Sequence, residues 1–285
     1  MKMRKILFLL VLTFYSVCVA DDSLLFRADF DAFSVTADYA GGGRESTTFK
    51  NPSLQLRMWK GIDGKGNALA LEKSERCAYP LDGNFNPKQG TVSFWVAPLN
   101  WKPGDHGFQW FFTASQPDFT MHVYKYVWPN CLFFYISSSR IPGDNKRLSA
   151  KVHIRDEDWG ENVWHKIDAV WDRTGMKLYV DGVLPKKVKW LDPVVHFTAP
   201  VDFPDAASGS IALNNEPSQR EEDKYQRTAF DNLRIYNRPL SSAEVYDEYA
   251  KYRTSTFGSD REVPILPIPE EKIPVTLDGK IDPDE

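Results

Sequence analysis

The chain has 285 residues, a formal net charge of −4, 42% hydrophobic and 14% aromatic residues, which is material for one large or two small globular domains. That excludes a miniature disulfide scaffold and wholesale disorder. With 39 Asp and Glu against 35 Lys and Arg, no basic field is available to attract a phosphate backbone, and nucleic acid is not an expected partner.

The N-terminus reads as a secretory signal over residues 1–20. Lys2, Arg4 and Lys5 form a basic start, Ile6 to Phe14 an apolar run, and Cys18, Val19 and Ala20 precede Asp21 and Asp22. The run is shorter than the roughly 20 apolar residues that a bilayer needs, and no later segment approaches that length, so no membrane span is expected. Cleavage removes three positive charges and no negative ones, taking −4 to −7. The product is expected to be secreted, periplasmic or on the cell surface. Cys77 and Cys131 then meet an oxidising compartment, where they either pair as a disulfide or stay apart as small buried hydrophobes.

From Leu24 to Tyr236 short runs rich in aromatic and β-branched residues alternate with Gly, Pro, Asn and Asp. Examples are TVSFWVA from Thr91, FQWFFTA from Phe108, MHVYKYV from Met121, LFFYIS from Leu132 and WHKIDAVWD from Trp164. About a dozen strands at roughly ten-residue spacing predict an all-β sandwich or barrel. Asp181 and Gly182 predict a tight hairpin turn. Ser241 and Glu244 form a capping box that opens a short helix. Residues 254–274 are small, polar and then proline-rich, a semi-rigid linker.

Four segments resemble, in order, a laminin-G-like, concanavalin A-like jelly roll: GIDGKGNALALE from Gly61, GTVSFWVAP from Gly90, WHKIDAVWDRTGMKLYVDGV from Trp164 and FDNLRIYNRPLSSAEVYDEY from Phe230. The resemblance covers residues 21–253. It implies a two-sheet antiparallel jelly-roll sandwich with one short C-terminal helix capping its edge, and it places Trp95 and Trp171 in the sandwich interior. It also implies one structural Ca²⁺ where the first strand meets the last, with Asp31 and Asp231 as the leading pair, Asp29 beside them and the Lys65 to Asn67 loop nearby. Residues 275–285, VTLDGKIDPDE, resemble the opening strand of a family 9-like carbohydrate-binding module, which implies further domains in a longer chain.

Catalytic texts are absent: no G-x-S-x-G, no H-E-x-x-H and no cysteines at zinc spacing. Asp156, Asp158 and Glu161 in DEDWGE stand nearest to the paired acids of a family 16 glycoside hydrolase, but Gly160 and the flanking charges predict a solvated turn. In HVYKYVW, His122, Tyr124, Tyr126 and Trp128 share one strand face, opposite Val123, Lys125 and Val127. If the second face is core, the first looks out and can stack on sugar rings; otherwise the aromatics pack inside. The expected function is a non-catalytic carbohydrate-binding or adhesion module with a polysaccharide or glycan ligand. The alternatives are a structural spacer and, behind it, a polysaccharide hydrolase or lyase.

Overall fold

The structure, a computed structural model, describes residues 22–32, 34–49, 58–62, 64, 66–105, 107–126, 130–214 and 225–256, with the backbone alone at 47–49 and 253–256. The signal-like segment, Trp128, the linker beyond residue 256 and the 275–285 segment lie outside the described residues.

In chain order the strands are β1 (Leu24–Ala28), β2 (Tyr39–Ala40), β3 (Thr47–Phe49), β4 (Met58–Lys60), β5 (Asn67–Glu72), β6 (Arg76–Pro80), β7 (Gly90–Pro98) and β8 (Gln109–Gln116). They continue with β9 (Phe119–Tyr126), β10 (Cys131–Ser137), β11 (Arg147–His153), β12 (His165–Asp172), β13 (Gly175–Val180), β14 (Val194–His196), β15 (Ser210–Leu213) and β16 (Arg227–Tyr236). Helix α1 (Ser242–Thr256) follows, running past the boundary expected at Arg253. Two antiparallel sheets result. A nine-stranded sheet runs β14-β13-β12-β7-β16-β1-β2, with β5 on β16 and β4 on β5. A seven-stranded sheet runs β11-β10-β9-β8-β15-β6-β3.

The core is built by the inward half of each alternating strand. Phe94, Ile167, Ala169 and Trp171 from the larger sheet meet Phe112, Met121, Val123 and Phe134 from the smaller one. Phe85 stacks on Trp171 with centroids 5.1 Å apart. Local signals act as expected. Asp181 and Gly182 both hold positive φ, 53° and 78°, as a two-residue hairpin turn requires. Ser241 Oγ accepts from the Glu244 N–H at 3.3 Å, and Glu244 Oε2 accepts from the Ser241 N–H at 2.8 Å.

Two expectations need correction. The helix does not cap an edge; it lies across the outer face of the nine-stranded sheet, where Trp95 stacks on Tyr249 at 5.6 Å and meets Tyr252 edge-on at 5.8 Å. Trp95 is therefore buried on the outer face beneath the helix, while Trp171 is interior as expected. Second, Cys77 and Cys131 are both buried thiols and do not pair. They lie on β6 and β10 with β15, β8 and β9 between them, about 19 Å at the usual strand spacing, against a disulfide reach of about 7 Å between Cα atoms. They also point to opposite faces, since Cys77 belongs to the core whereas Cys131 shares its parity with the outward Phe133. Burial pushes the thiols up to about 11 and about 12, so neither is a ready thiolate.

Removing the Trp95 ring opens a cavity between sheet and helix. Trp95→Ala should lower the unfolding free energy by about 3–5 kcal/mol, read from the urea midpoint; a midpoint unchanged from the parent would mean that the helix does not depend on this contact.

Candidate functional site

Among the described residues no helix covers the outer face of the seven-stranded sheet. On β9 burial alternates as the sequence predicts: Met121 and Val123 are inward and buried, His122 and Tyr124 outward and half-buried, and Tyr126 is 36% exposed. Lys125 also points inward, and its ammonium donates to the carbonyls of Asp105 and Gly107. His122, Tyr124 and Tyr126 are thus brought together on the open face.

Strand register extends this line into transverse rows. One row runs Lys151, Phe133, Tyr124, Trp110 across β11, β10, β9 and β8. Tyr124 stacks on Phe133 at 5.3 Å and 15°, and on Trp110 at 4.9 Å and 19°. Phe108 and Tyr126 close its end, 5.2 Å apart. The Lys151 ammonium lies 5.5 Å from the Phe133 ring and 5.3 Å from that of Trp190, which is 51% exposed. The next row runs Ser149, Tyr135, His122, Thr113, Ala212, Ala78. The third runs Arg147, Ser137, Thr120, Ser115, Ser210, Pro80. The face therefore grades from stacked rings to a hydroxyl-lined floor of small side chains.

His122 sits where the first two rows meet. Its Nδ1 lies 3.1 Å from Thr113 Oγ1, and its ring meets Trp110 edge-on at 4.4 Å. Burial pulls its pKa down to about 4, so the imidazole is neutral at physiological pH. Burial likewise lifts the Tyr124 phenol to about 12, keeping it an un-ionised donor. The Trp110 Nε1 is buried without a hydrogen-bond partner. Stacked rings beside rows of hydroxyls offer both apolar and hydrogen-bonding contacts on one face.

Phe133 and Tyr135 were within reach of the sequence, because LFFYIS alternates just as HVYKYV does. Trp110 was not. A bulge between Trp110 and Phe112 breaks the alternation, sending Phe111 and Phe112 both into the core.

A second cradle lies at the other sheet. Asp231 is 2% exposed, with Oδ2 accepting from the Ile62 N–H at 2.9 Å and Oδ1 from the Asn232 N–H at 2.7 Å. Asp31 Oδ1 accepts from the Asn67 N–H at 3.3 Å. A Cβ on Gly66 would fall 1.8 Å from Asp31 Oδ1, and one on Gly61 3.2 Å from Asp231 Oδ2, so both carboxylates press against the same glycine-lined loop. Burial, with the Asp31 and Asp29 charges adding to it, pushes Asp231 up to about 8. Asp29 faces elsewhere, 3.3 Å from Arg27 and 3.2 Å from Arg234. Among the described residues no three His, Cys, Asp or Glu side chains converge on a metal-sized point. Two carboxylates and loop carbonyls form a hard-oxygen donor set that fits Ca²⁺, and a divalent ion there would supply the charge that this buried carboxylate lacks.

DEDWGE forms the expected turn. Asp158 pairs with Arg155 at 2.7 Å and Asp156 accepts from the Gly104 N–H at 2.6 Å, with Glu161 exposed. No helix of the described residues is long and apolar enough to cross a membrane.

No curated protein matches the sequence. Among solved structures, the binding domain of Paraclostridial Mosquitocidal Protein 1 superposes with a TM-score of 0.60 at 14% identity, over 82% of this chain and 53% of that one. The receptor binding domain of botulinum neurotoxin C/D mosaic serotype gives 0.59 at 13%, over 81% and 51%. The chain thus spans about half the length of these toxin domains. Domain 4 of AbnA, a GH43 extracellular arabinanase from Geobacillus stearothermophilus solved with arabinotriose, gives 0.55 at 20%, over 79% of this chain and 97% of that one. At these identities the likeness concerns the fold. The profile of one family, described as the concanavalin A-like lectin/glucanases superfamily, matches residues 71–246, more than half of the sequence, and the chain belongs to that superfamily.

Proposed function

We propose that this protein is an exported, non-catalytic carbohydrate-binding module whose ligand lies across the open face of the seven-stranded sheet. The observation that carries the reading is the row of Trp110, Tyr124 and Phe133 on the open face, stacked ring on ring across three strands. Stacked on one another, the rings present a continuous apolar strip against which the C–H face of a sugar can pack, and the hydroxyl rows beside it can exchange hydrogen bonds with sugar hydroxyls. A domain of a sugar-processing enzyme solved with arabinotriose shares the fold over nearly its whole length, which supports the reading. The signal-like leader supports export. The acids of DEDWGE lie in a turn, with Glu157 and Asp158 paired to Arg155, which supports a binding rather than a hydrolytic role.

Against a panel of neutral and acidic polysaccharides in affinity electrophoresis, Tyr124→Ala and Trp110→Ala should each weaken retention at least tenfold, about 1.4 kcal/mol, with the fold checked by circular dichroism. Unchanged retention in both variants would sink the assignment of this face. The imidazole of His122 gives a separate check on burial. An unfolded His binds its proton near 6.5, whereas His122 does so only near 4. Between these values the unfolded state holds more protons, so stability present above pH 6.5 is lost as pH falls towards 4. The slope of the urea midpoint over that window should shrink in His122→Gln.

We further propose that Asp31, Asp231 and the loop carbonyls between Gly61 and Asn67 hold one structural Ca²⁺, which would tie β1, β5 and β16 together. Millimolar Ca²⁺ should raise the melting temperature, EDTA should reverse the gain, and Asp231→Asn should abolish the response. A melting temperature indifferent to both reagents would overturn the proposal.

A further inference from the structure

The seven-stranded sheet contains no carboxylate side chain. None of the chain's 39 Asp and Glu residues lies in β3, β6, β8, β9, β10, β11 or β15, although the chain as a whole is net negative. The outward positions carry cations instead. Arg147 and Lys151 stand on β11 at one margin of the aromatic and hydroxyl rows, and Arg76 stands on β6 at the other. Lys151 lies between the rings of Phe133 and Trp190. Arg76 is half-buried, donates from Nη2 to Ser210 Oγ at 2.7 Å, and keeps its Nε buried without a hydrogen-bond partner. Among the described residues no carboxylate pairs with any of the three.

Described acids bordering the sheet are engaged outside it: Glu75, next to Arg76 in the chain, accepts from the Glu72 N–H at 2.8 Å. At the β8–β9 turn Asp118 faces Arg140 at 3.4 Å, Asp205 faces Lys88 at 2.7 Å, and beside Trp190 Asp192 faces Lys187 at 2.7 Å. At one margin Arg147 and Lys151 face no described carboxylate, and at the other a partly desolvated guanidinium with an unmade hydrogen bond costs free energy. An anionic ligand would offset both, and a guanidinium fork suits planar oxyanions.

We propose that the ligand of the open face is an acidic polysaccharide, its rings on the Trp110–Tyr124–Phe133 row and its carboxylate or sulfate groups reaching Arg76 at one margin and Lys151 with Arg147 at the other. The margins are five strand intervals apart, about 24 Å, room for several sugar units. The inference rests on the reading of this face as a glycan platform and adds the charge of the glycan. Single-stranded nucleic acid also combines rings with anions, but the net negative chain and its signal-like leader favour an extracellular polysaccharide.

The test uses the full chain in affinity electrophoresis against polygalacturonate, its fully methyl-esterified form, dextran sulfate and a thymidine oligonucleotide. Retention by polygalacturonate or dextran sulfate should exceed that by the neutral ester at least tenfold, and the responding probe identifies carboxylate or sulfate as the group read. Lys151→Ala and Arg76→Ala should each shrink that gap about fivefold or more while leaving residual binding to the ester, and Lys151→Arg should retain the gap. Melting temperatures close to the parent's would confirm that the variants are folded, and 0.5 M NaCl should narrow the gap in the parent. Equal retention by charged and esterified chains, or charge variants without effect, would overturn the charge assignment and leave the platform standing. Absence of any glycan retention that Trp110→Ala weakens would remove both. Oligonucleotide binding tighter than either anionic glycan would overturn the ligand class.

Discussion

The contact of Trp95 with Tyr249 and Tyr252 decides which surface of this molecule is free to work. A two-sheet sandwich has four faces, and the core consumes two of them. Helix α1 seals the third by laying its aromatic residues on Trp95, with Val245 packed against Val170, Tyr179 and Tyr236. Among the described residues only the outer face of the seven-stranded sheet remains open, and the alternation that sends Met121 and Val123 into the core obliges His122 and Tyr124 to stand on it.

The two outer faces solve opposite problems. Beneath the helix lie charges: Lys166 bonds Asp168, both almost wholly buried, and Asp168 Oδ2 has no hydrogen-bond partner. Burial raises the Asp168 carboxyl above its ordinary value despite the attraction of Lys166. A buried pair of this kind repays its desolvation only in part, so the helix covers this face at some electrostatic cost, which the aromatic contacts around Trp95 and Val245 offset. On the open face the pattern reverses, with large rings towards solvent and carboxylates excluded from the whole sheet. Exposed rings in register are costly to a water-facing surface, which supports the proposed ligand-binding role.

Much of this was legible before any coordinates. The strand runs, the Asp181–Gly182 turn and the Ser241–Glu244 capping box depend on near neighbours, and each stands as the residues imply. The outward set on β9 was legible for the same reason, and Phe133 and Tyr135 could have been added by the same alternation. Trp110 could not, because the bulge that frees it depends on pairing with β9. Asp31 and Asp231 were linked through the family resemblance, and the structure sets them on one glycine-lined loop while turning Asp29 to Arg27 and Arg234. Cys77 and Cys131 were equally compatible with pairing or separation until strand order set three strands between them.

By itself, then, the sequence determined the all-β class, the strand faces and the helix start, since periodicity and capping act over a few residues. Tertiary structure alone decided where the helix lies, which sheet stays open, which rings align across strands, and that the cations at Arg76 and Lys151 share a face without carboxylates. Those outcomes depend on pairings between residues far apart in the chain, and no local pattern encodes which of two amphipathic sheets will receive the only helix among the described residues.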